Sequence, residues 1–266
     1  MNVEQLFLNY KGNALYTTLL KPEFTDKQEG YVIVHPFAEE KKSAHRILFE
    51  IAESITQQGY YVVMFDFSGC GDSEGSLLTT TLDDWFDELG YVSGYFKTNY
   101  SLNKVHYLGL RLGSLIAGVY CSKTEYSGRT IMLEPVINPE EYFRKTLKSK
   151  LFKELLTQGN ISSKRNELIE ELKENKSLDF DGHEIGASFY RSIVEHKDDF
   201  NKVKAVNTFV VTASITGKTS KEYQRLVEAG QLKGENFATI KLEPFWDRIE
   251  SSPDICGLKE LIINYL

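Results

Sequence analysis

The sequence predicts an α/β fold, a mostly parallel central sheet with helices on both faces and a helical insertion. Three observations carry this. Short apolar strand patterns alternate with amphipathic helical patterns over residues 1–135. The alternation breaks into a helix-rich stretch at 136–202 and resumes after about residue 203. The early strands, such as "YVIVH" (31–35), are near-continuous apolar runs, the signature of parallel strands buried on both faces.

The elements follow in order. "VEQLFLNYKGNALYTTLL" reads as an opening hairpin around Lys11-Gly12-Asn13. After the strand at 31–35, "SAHRILFEIAESITQQG" (43–59) places Ile47, Ile51 and Ile55 on one helical face, and Gly59 ends it. "YYVVMFDF" (60–67) is a strand, "TTLDDWFDELGYVSGYFK" (80–97) a helix, "KVHYLGL" (104–110) a strand, "SLIAGVYC" (114–121) a helix and "RTIMLEP" (129–135) a strand. In the insertion, a helix over 139–159 carries the stripe Phe143, Leu147, Leu151 and Leu155. A charged helix follows over 164–176, then a small hairpin around Asp181-Gly182 and a helix over 187–197. The sheet pattern returns with a strand at 205–214, a helix at 220–230 and a strand at 236–244. A closing helix is expected directly after Ser252-Pro253, serine as cap and proline at the first helical position. The domain reading is one α/β core, 1–135 with 203–266, and one inserted lid or cap, 136–202.

Composition narrows the function classes. The chain has 266 residues, 41% hydrophobic and 26% charged, enough to bury a sizeable core. A net charge of −7 lacks the basic excess of a nucleic-acid binder. Cys70, Cys121 and Cys256 are too few and too widely spaced for a disulfide framework or a zinc site, which points to a reducing, cytoplasmic setting. No stretch reads as a signal peptide or a transmembrane span. No metal and no cofactor are expected.

The stretch that carries chemistry is "HYLGLRLGSLIAG" (106–118). A strand runs into Gly-Leu-Arg-Leu-Gly and then into a helix rich in small residues, the layout of a G-x-S-x-G nucleophile elbow. Arg111 stands where serine belongs. With "VHPFAEE" and "FDFSGCGDSEG" after two earlier strands, the chain resembles the α/β-hydrolase superfamily over nearly its whole length, with the insertion where members of that fold carry a lid. More narrowly, "PFAEEKKSAHR", "GCGDSEG", "GLRLG" and "LEPVINPEEYF" are similar to the second type of exosortase-associated hydrolase. These are bacterial proteins found near exopolysaccharide and protein-sorting genes, and members of that family also carry Gly-Leu-Arg-Leu-Gly.

The resemblance implies a hydrolase, yet all three triad positions are empty. Arg111 replaces the nucleophile. The loop "ITGKTSKE", after the strand that usually precedes the acid, holds no aspartate in the expected place. "LEPFWDRIESSPD", after the last strand, has Trp246 and Asp247 but no histidine. Nucleophile, base and orienting acid act as a unit, so ordinary serine hydrolysis is not expected.

What remains is a candidate pocket. Arg111 adds a permanent charge to a helix N-terminus that already favours anions, and the N–H groups of Leu112 and Phe37 occupy oxyanion-hole places. Trp246 would form an aromatic wall of that pocket or pack as plain core. His35, Glu39 and Glu40 are the proton-transfer candidates, against a structural hydrogen-bonding role for His35 and a solvated helix entry for the two glutamates. The opposing reading pairs Arg111 with Glu39 or Glu40 as an internal plug. An elbow also requires positive φ at Arg111. Cys70 reads as part of a structural turn, Ser114 as facing the sheet, His106 as a core histidine and His183 and His196 as lacking metal spacing. The basic face of Arg144, Lys145, Lys148 and Lys153 reads as solvated. Two function classes stay open: an enzyme without a serine nucleophile acting on a small anionic or acyl compound, and a non-catalytic ligand-binding or partner protein. A homodimer and the identity of the substrate are left open as well.

Overall fold

In the computed structural model, residues 1–266 are described except 125, 159–164, 181, 205, 233–235 and 248–252, with side chains of 152–158 and 165 also outside the description. The chain opens with the expected hairpin, β1 (Asn2–Tyr10) and β2 (Asn13–Lys21), paired so that Tyr10 faces Asn13. Lys11 and Gly12 form its two-residue loop with φ of 50° and 91°, the mirror-image turn whose twist matches that of paired strands.

Then follow β3 (Glu29–Val34), α1 (Glu39–Gln57), β4 (Tyr61–Phe65), α2 (Leu82–Asn99), β5 (Lys104–Leu110), α3 (Leu112–Lys123) and β6 (Thr130–Leu133). After the insertion come β9 (Thr208–Ser214), α7 (Lys221–Glu228), β10 (Phe237–Lys241) and α8 (Cys256–Tyr265). Eight strands form one sheet in the order β1-β2-β4-β3-β5-β6-β9-β10. β1 and β2 run antiparallel to their neighbours, and every other pairing is parallel. This is the α/β-hydrolase fold.

Strand alternation divides the core. In β3, Tyr31 and Ile33 join the layer under α1 and α8, while Val32 and Val34 join the layer under α2, α3 and the insertion. α2 begins with a capping box in which Asp84 N–H donates to Thr81 Oγ1 and Thr81 N–H donates to the Asp84 carboxylate. Two helix starts differ from the sequence reading. α1 begins at Glu39, four residues earlier than expected, so the two glutamates enter its first turn. α8 begins at Cys256, not after Pro253; Asp254 Oδ1 accepts from Cys256 N–H at 2.9 Å, and Ser252 lies outside the described residues.

Between β6 and β9 lie α4 (Pro139–Gln158), α5 (Arg165–Lys173), the hairpin β7 (Leu178–Phe180) and β8 (His183–Ile185), α6 (Ala187–Glu195) and a 3-10 turn, Asp199–Lys202. Phe143, Leu147 and Leu151 of the expected stripe are buried; Leu155 and Asp181 lie outside the description. The insertion is bonded to the first half of the core. Ser192 Oγ accepts from Leu82 N–H at 3.0 Å, and Gly186 N–H donates to Leu77 O at 2.9 Å. His196 lies between Asp199 (2.6 Å) and Asp83 (3.2 Å), joining α6 to α2, which gives this histidine a structural place. On α4, Arg144 and Lys145 pair with Glu140 and Glu141 one turn back, Lys148 is exposed, and Lys153 is not described. Among the described residues, no helix is long and apolar enough to cross a membrane.

Candidate functional site

At the carboxyl ends of the parallel strands, three non-glycine residues hold positive φ: Ala38 (50°), Arg111 (56°) and Glu134 (41°). Each of these non-glycine backbones stores roughly 1–3 kcal/mol of strain, which surrounding structure must enforce. The enforcement is visible at Arg111. β5 ends at Leu110 and α3 starts at Leu112, so one residue makes the whole strand-to-helix reversal, at φ 56° and ψ −119°. The flanking glycines permit the approach. A Cβ on Gly109 would lie 2.5 Å from Gly113 O, and one on Gly113 would lie 2.3 Å from Val34 O.

The Arg111 side chain turns inward against acids and aromatic rings. Nε donates to Glu40 Oε1 at 3.1 Å, and Nη1 lies 3.4 Å from the Glu134 carbonyl oxygen. Glu40 Oε2 accepts from Tyr142 Oη at 2.7 Å, which ties α4 to the pair. The guanidinium carbon sits 5.3 Å from the Tyr142 ring centre and 5.6 Å from that of Trp246, within cation–π range. The side chains of Arg111 and Glu40 are 21% and 12% exposed, so the pair is largely withdrawn from water. Glu40 makes this pair; Glu39 makes no bond to Arg111.

The surroundings are acid-rich. Burial raises the Glu40 carboxyl, with Arg111 and Tyr142 opposing that rise and Asp247 adding to it. Burial likewise raises Glu134, whose Oε2 accepts from Ala213 N–H at 2.8 Å. Burial works against the Arg111 charge, but Glu40 and the neighbouring acidic groups outweigh it and hold the guanidinium protonated. Tyr223 closes another side, its Oη donating to Pro135 O at 2.7 Å. One guanidinium therefore faces Glu40 directly, with Glu134 and Asp247 nearby. Cavities of about 220 Å³ beside Met132 and Val210 and about 520 Å³ beside Cys121 and Thr130 do not reach Arg111.

The remaining candidates separate. Phe37 is fully buried and stacks on Phe189 at 5.3 Å, and Leu112 is fully buried at the first position of α3, where a helix has no internal acceptor for its N–H. Trp246 is buried against Phe245 and Arg111. His35 is fixed by two backbone bonds: Nδ1–H donates to Pro36 O at 2.6 Å, and Nε2 accepts from Phe67 N–H at 3.2 Å. That neutral tautomer uses both ring nitrogens, so His35 holds the loops after β3 and β4 together and has no proton or lone pair for a substrate. Burial lowers its pKa to about 4.

The "FDFSGCGDSEG" loop is a brace along β2. Asp66 N–H donates to Tyr16 O, Tyr16 N–H to Ser73 Oγ and Glu74 N–H to Ala14 O. Within it, burial pushes the Cys70 thiol up to about 12, far from a thiolate at neutral pH. Ser114 is fully buried, its Oγ 2.5 Å from Gly109 O and 2.9 Å from Leu133 O, facing the sheet. His106 is a core residue, and among the described residues no group of acids, histidines and cysteines could hold a metal ion.

The sequence profile of the serine aminopeptidase S33 family matches residues 28–225. The chain belongs to the serine aminopeptidase S33 family. This S33 member is 25% identical to the proline iminopeptidase of Clostridioides difficile (strain 630) over 154 residues, 57% of this chain. The chain spans half the length of that curated relative. Among solved structures, Est1E of Butyrivibrio proteoclasticus with bound ferulic acid superposes with a TM-score of 0.71 at 17% identity, over 98% of this chain and 97% of that one. The α/β-hydrolase GrgF of Penicillium sp. sh18 gives 0.67 at 15% identity, over 100% and 98%. At such identities the structures establish the shared fold and nothing finer.

Sequence reasoning missed Glu134, Tyr142 and Tyr223 as neighbours of Arg111 in this S33 member. Glu134 and Tyr142 lie in "LEPVINPEEYF", a stretch whose likeness to a known family says nothing of their contact with Arg111. A carboxylate one residue past a parallel strand, at the edge where the sheet's ligands bind, was the available signal.

Proposed function

We propose that this chain is a non-hydrolytic member of the α/β-hydrolase fold, a ligand-binding or partner protein whose elbow position is filled from within. The observation that carries the reading is the Arg111–Glu40 ion pair at 3.1 Å, set on the strained turn where a nucleophile would stand and covered by Tyr142 and Trp246. A serine triad needs three cooperating groups. Here the turn bears a guanidinium, the buried serine beside it faces the sheet, and the histidine at the rim is spent on backbone bonds.

The same geometry weighs against a reaction on a small anionic or acyl compound gripped by Arg111. Such a ligand would have to displace Glu40 and enter a neighbourhood that also contains Glu134 and Asp247. The likeness of four sequence stretches to the exosortase-associated hydrolases supports a role beside surface-polymer or sorting machinery, with Arg111 a feature shared by that group.

The test is chemical. The purified protein is expected to resist labelling by serine-directed fluorophosphonates and to leave aryl esters at the background rate. Arg111→Ser is expected to stay inactive, since base and orienting acid are absent too. Stable phosphonylation of any serine, or ester turnover abolished by Arg111→Ala, would sink the reading.

A further inference from the structure

β1 is an edge strand of the eight-stranded sheet, separated from the elbow strand β5 by β2, β4 and β3. The hydrogen bonds of β2 show which of its backbone groups are open. Ala14 O accepts from Glu74 N–H and Tyr16 O accepts from Asp66 N–H, each at 2.9 Å, so the peptide groups of Ala14 and Tyr16 face the β4 side. Peptide groups alternate in direction along a strand. Asn13, Leu15, Thr17, Leu19 and Lys21 therefore bond toward β1, where they meet Tyr10, Leu8, Leu6, Glu4 and Asn2. The N–H and C=O groups of Val3, Gln5, Phe7 and Asn9 point away from the sheet, and among the described residues no other strand pairs with them.

Natural edge strands are blunted by shortness, proline, lysine or a bulge. β1 carries none of these devices. It runs nine residues in unbroken register with β2 and contains neither proline nor lysine. Its one charged residue, Glu4, is paired with Lys21. Leu8 is buried in the layer under α2, with Leu6 and Tyr10 packed against it. Val3 and Phe7 point to the other face and are 41% and 60% exposed, the Phe7 ring lying 5.5 Å from that of Tyr16.

We propose that two copies of this chain pair antiparallel, β1 against β1 in full overlap, with Leu6 facing Leu6 across a twofold axis and the two sheets joined into one. In that register Val3 meets Asn9 of the second copy and Gln5 meets Phe7, so every outward residue of both strands exchanges its two bonds. The Leu6 side chains face each other directly, and the two exposed Phe7 rings become diagonal neighbours within contact range. Glu4 falls opposite Leu8, so no like charges oppose each other. A second copy fits this edge because identical antiparallel strands are symmetric by construction, each favourable contact being made twice. The pairing is independent of what Arg111 does.

Sedimentation velocity at loadings from about 1 to 100 μM tests the association. Wild type is expected to pass from monomer toward a species of twice the chain mass. Phe7→Lys sets a charge on each side of the axis, and Gln5→Pro deletes an outward N–H that β2 does not use. Each is expected to weaken dimerisation at least about tenfold while melting near the wild-type temperature. Register is read by Leu6→Cys in a Cys256→Ser background, Cys256 being the exposed cysteine among three free ones. Facing Leu6 positions form a non-hydrogen-bonded pair with Cα atoms about 4.5 Å apart, inside disulfide range. Oxidation is therefore expected to cross-link the Leu6→Cys chains and to leave Asn9→Cys chains unlinked. A wild type that stays monomeric throughout overturns the proposal. So does a dimer that Phe7→Lys leaves intact, or one whose Leu6→Cys variant does not cross-link. If Gln5→Pro fails to fold, Phe7→Lys still decides, since its side chain lies on the surface.

Discussion

Replacing Arg111 with alanine is expected to destabilise the protein by about 3 kcal/mol, because it strands the buried Glu40 carboxylate beside other acids. For a chain of this size that is a fall in melting temperature of roughly 6–10 °C. The figure sits at the low end of the range for broken buried pairs because the guanidinium keeps some exposure to water. Arg111→Lys is expected to fall between, since an ammonium restores the charge without the planar contact to the Tyr142 and Trp246 rings. Glu40→Gln should cost less than Arg111→Ala, because it leaves a cation that still faces other acids. Replacing both partners by methionine removes two desolvated charges together and is expected to be near neutral. Denaturant unfolding of the two singles and the double gives the coupling energy, expected to be about 2 kcal/mol or more. A coupling near zero, with Arg111→Ala close to wild type, would mean that the guanidinium is not committed to Glu40 and is free for an outside anion.

The second large effect is acid sensitivity at His35. Its folded pKa of about 4 lies below the ordinary histidine value of 6.5, so between these values the unfolded chain binds the extra proton and the native state does not. The stabilisation from neutral His35 is complete above pH 6.5 and is lost as pH falls through the window to 4, on the order of 3 kcal/mol. Burial is the main cause. Lys41 and His45 lower the value further, while Asp66 and the Pro36 carbonyl oppose them. His35→Asn keeps an acceptor for Phe67 N–H and does not titrate, so it is expected to lose stability less steeply between pH 7 and 4.5. Comparing the two proteins by urea unfolding cancels the other titrating groups. Equal slopes would show that His35 is not the group that protonates.

Most of the architecture was legible because it rests on local signals: apolar periodicity, Gly59 after α1 and the turn residues Lys11-Gly12-Asn13 between β1 and β2. The strand-to-helix turn at Arg111 was legible for the same reason, as the five consecutive residues from Gly109 to Gly113 carry it. The partner of Arg111 was not. Glu39 and Glu40 are adjacent and chemically alike, and it is Glu40, in the first turn of α1, whose carboxylate meets Arg111. Tyr142 reaches the site from the insertion and Tyr223 from α7, contacts of long sequence separation that no local pattern encodes. The tautomer of His35 was hidden too, because it depends on two backbone groups from separate loops. The expected proline-led start of α8 failed because Asp254, beyond the proline, supplies the bond to the first helical N–H.

The route from β6 to β9 has a consequence for how the chain reaches its native state. These strands are neighbours in the sheet, yet residues 134–207 must be looped out to pair them. Closing a flexible loop loses entropy in proportion to the logarithm of its length, about 0.6 kcal/mol for each doubling. The insertion shortens that loop before it closes. Three of its bonds run backward, from Ser192 to Leu82, His196 to Asp83 and Tyr142 to Glu40, so these three anchors belong to chain already synthesised. Docking of α4 and α6 there before β9 pairs would leave only a short tether between β6 and β9. Cutting those three anchors is therefore expected to slow refolding more than it speeds unfolding, a kinetic signature that the native contacts alone do not display.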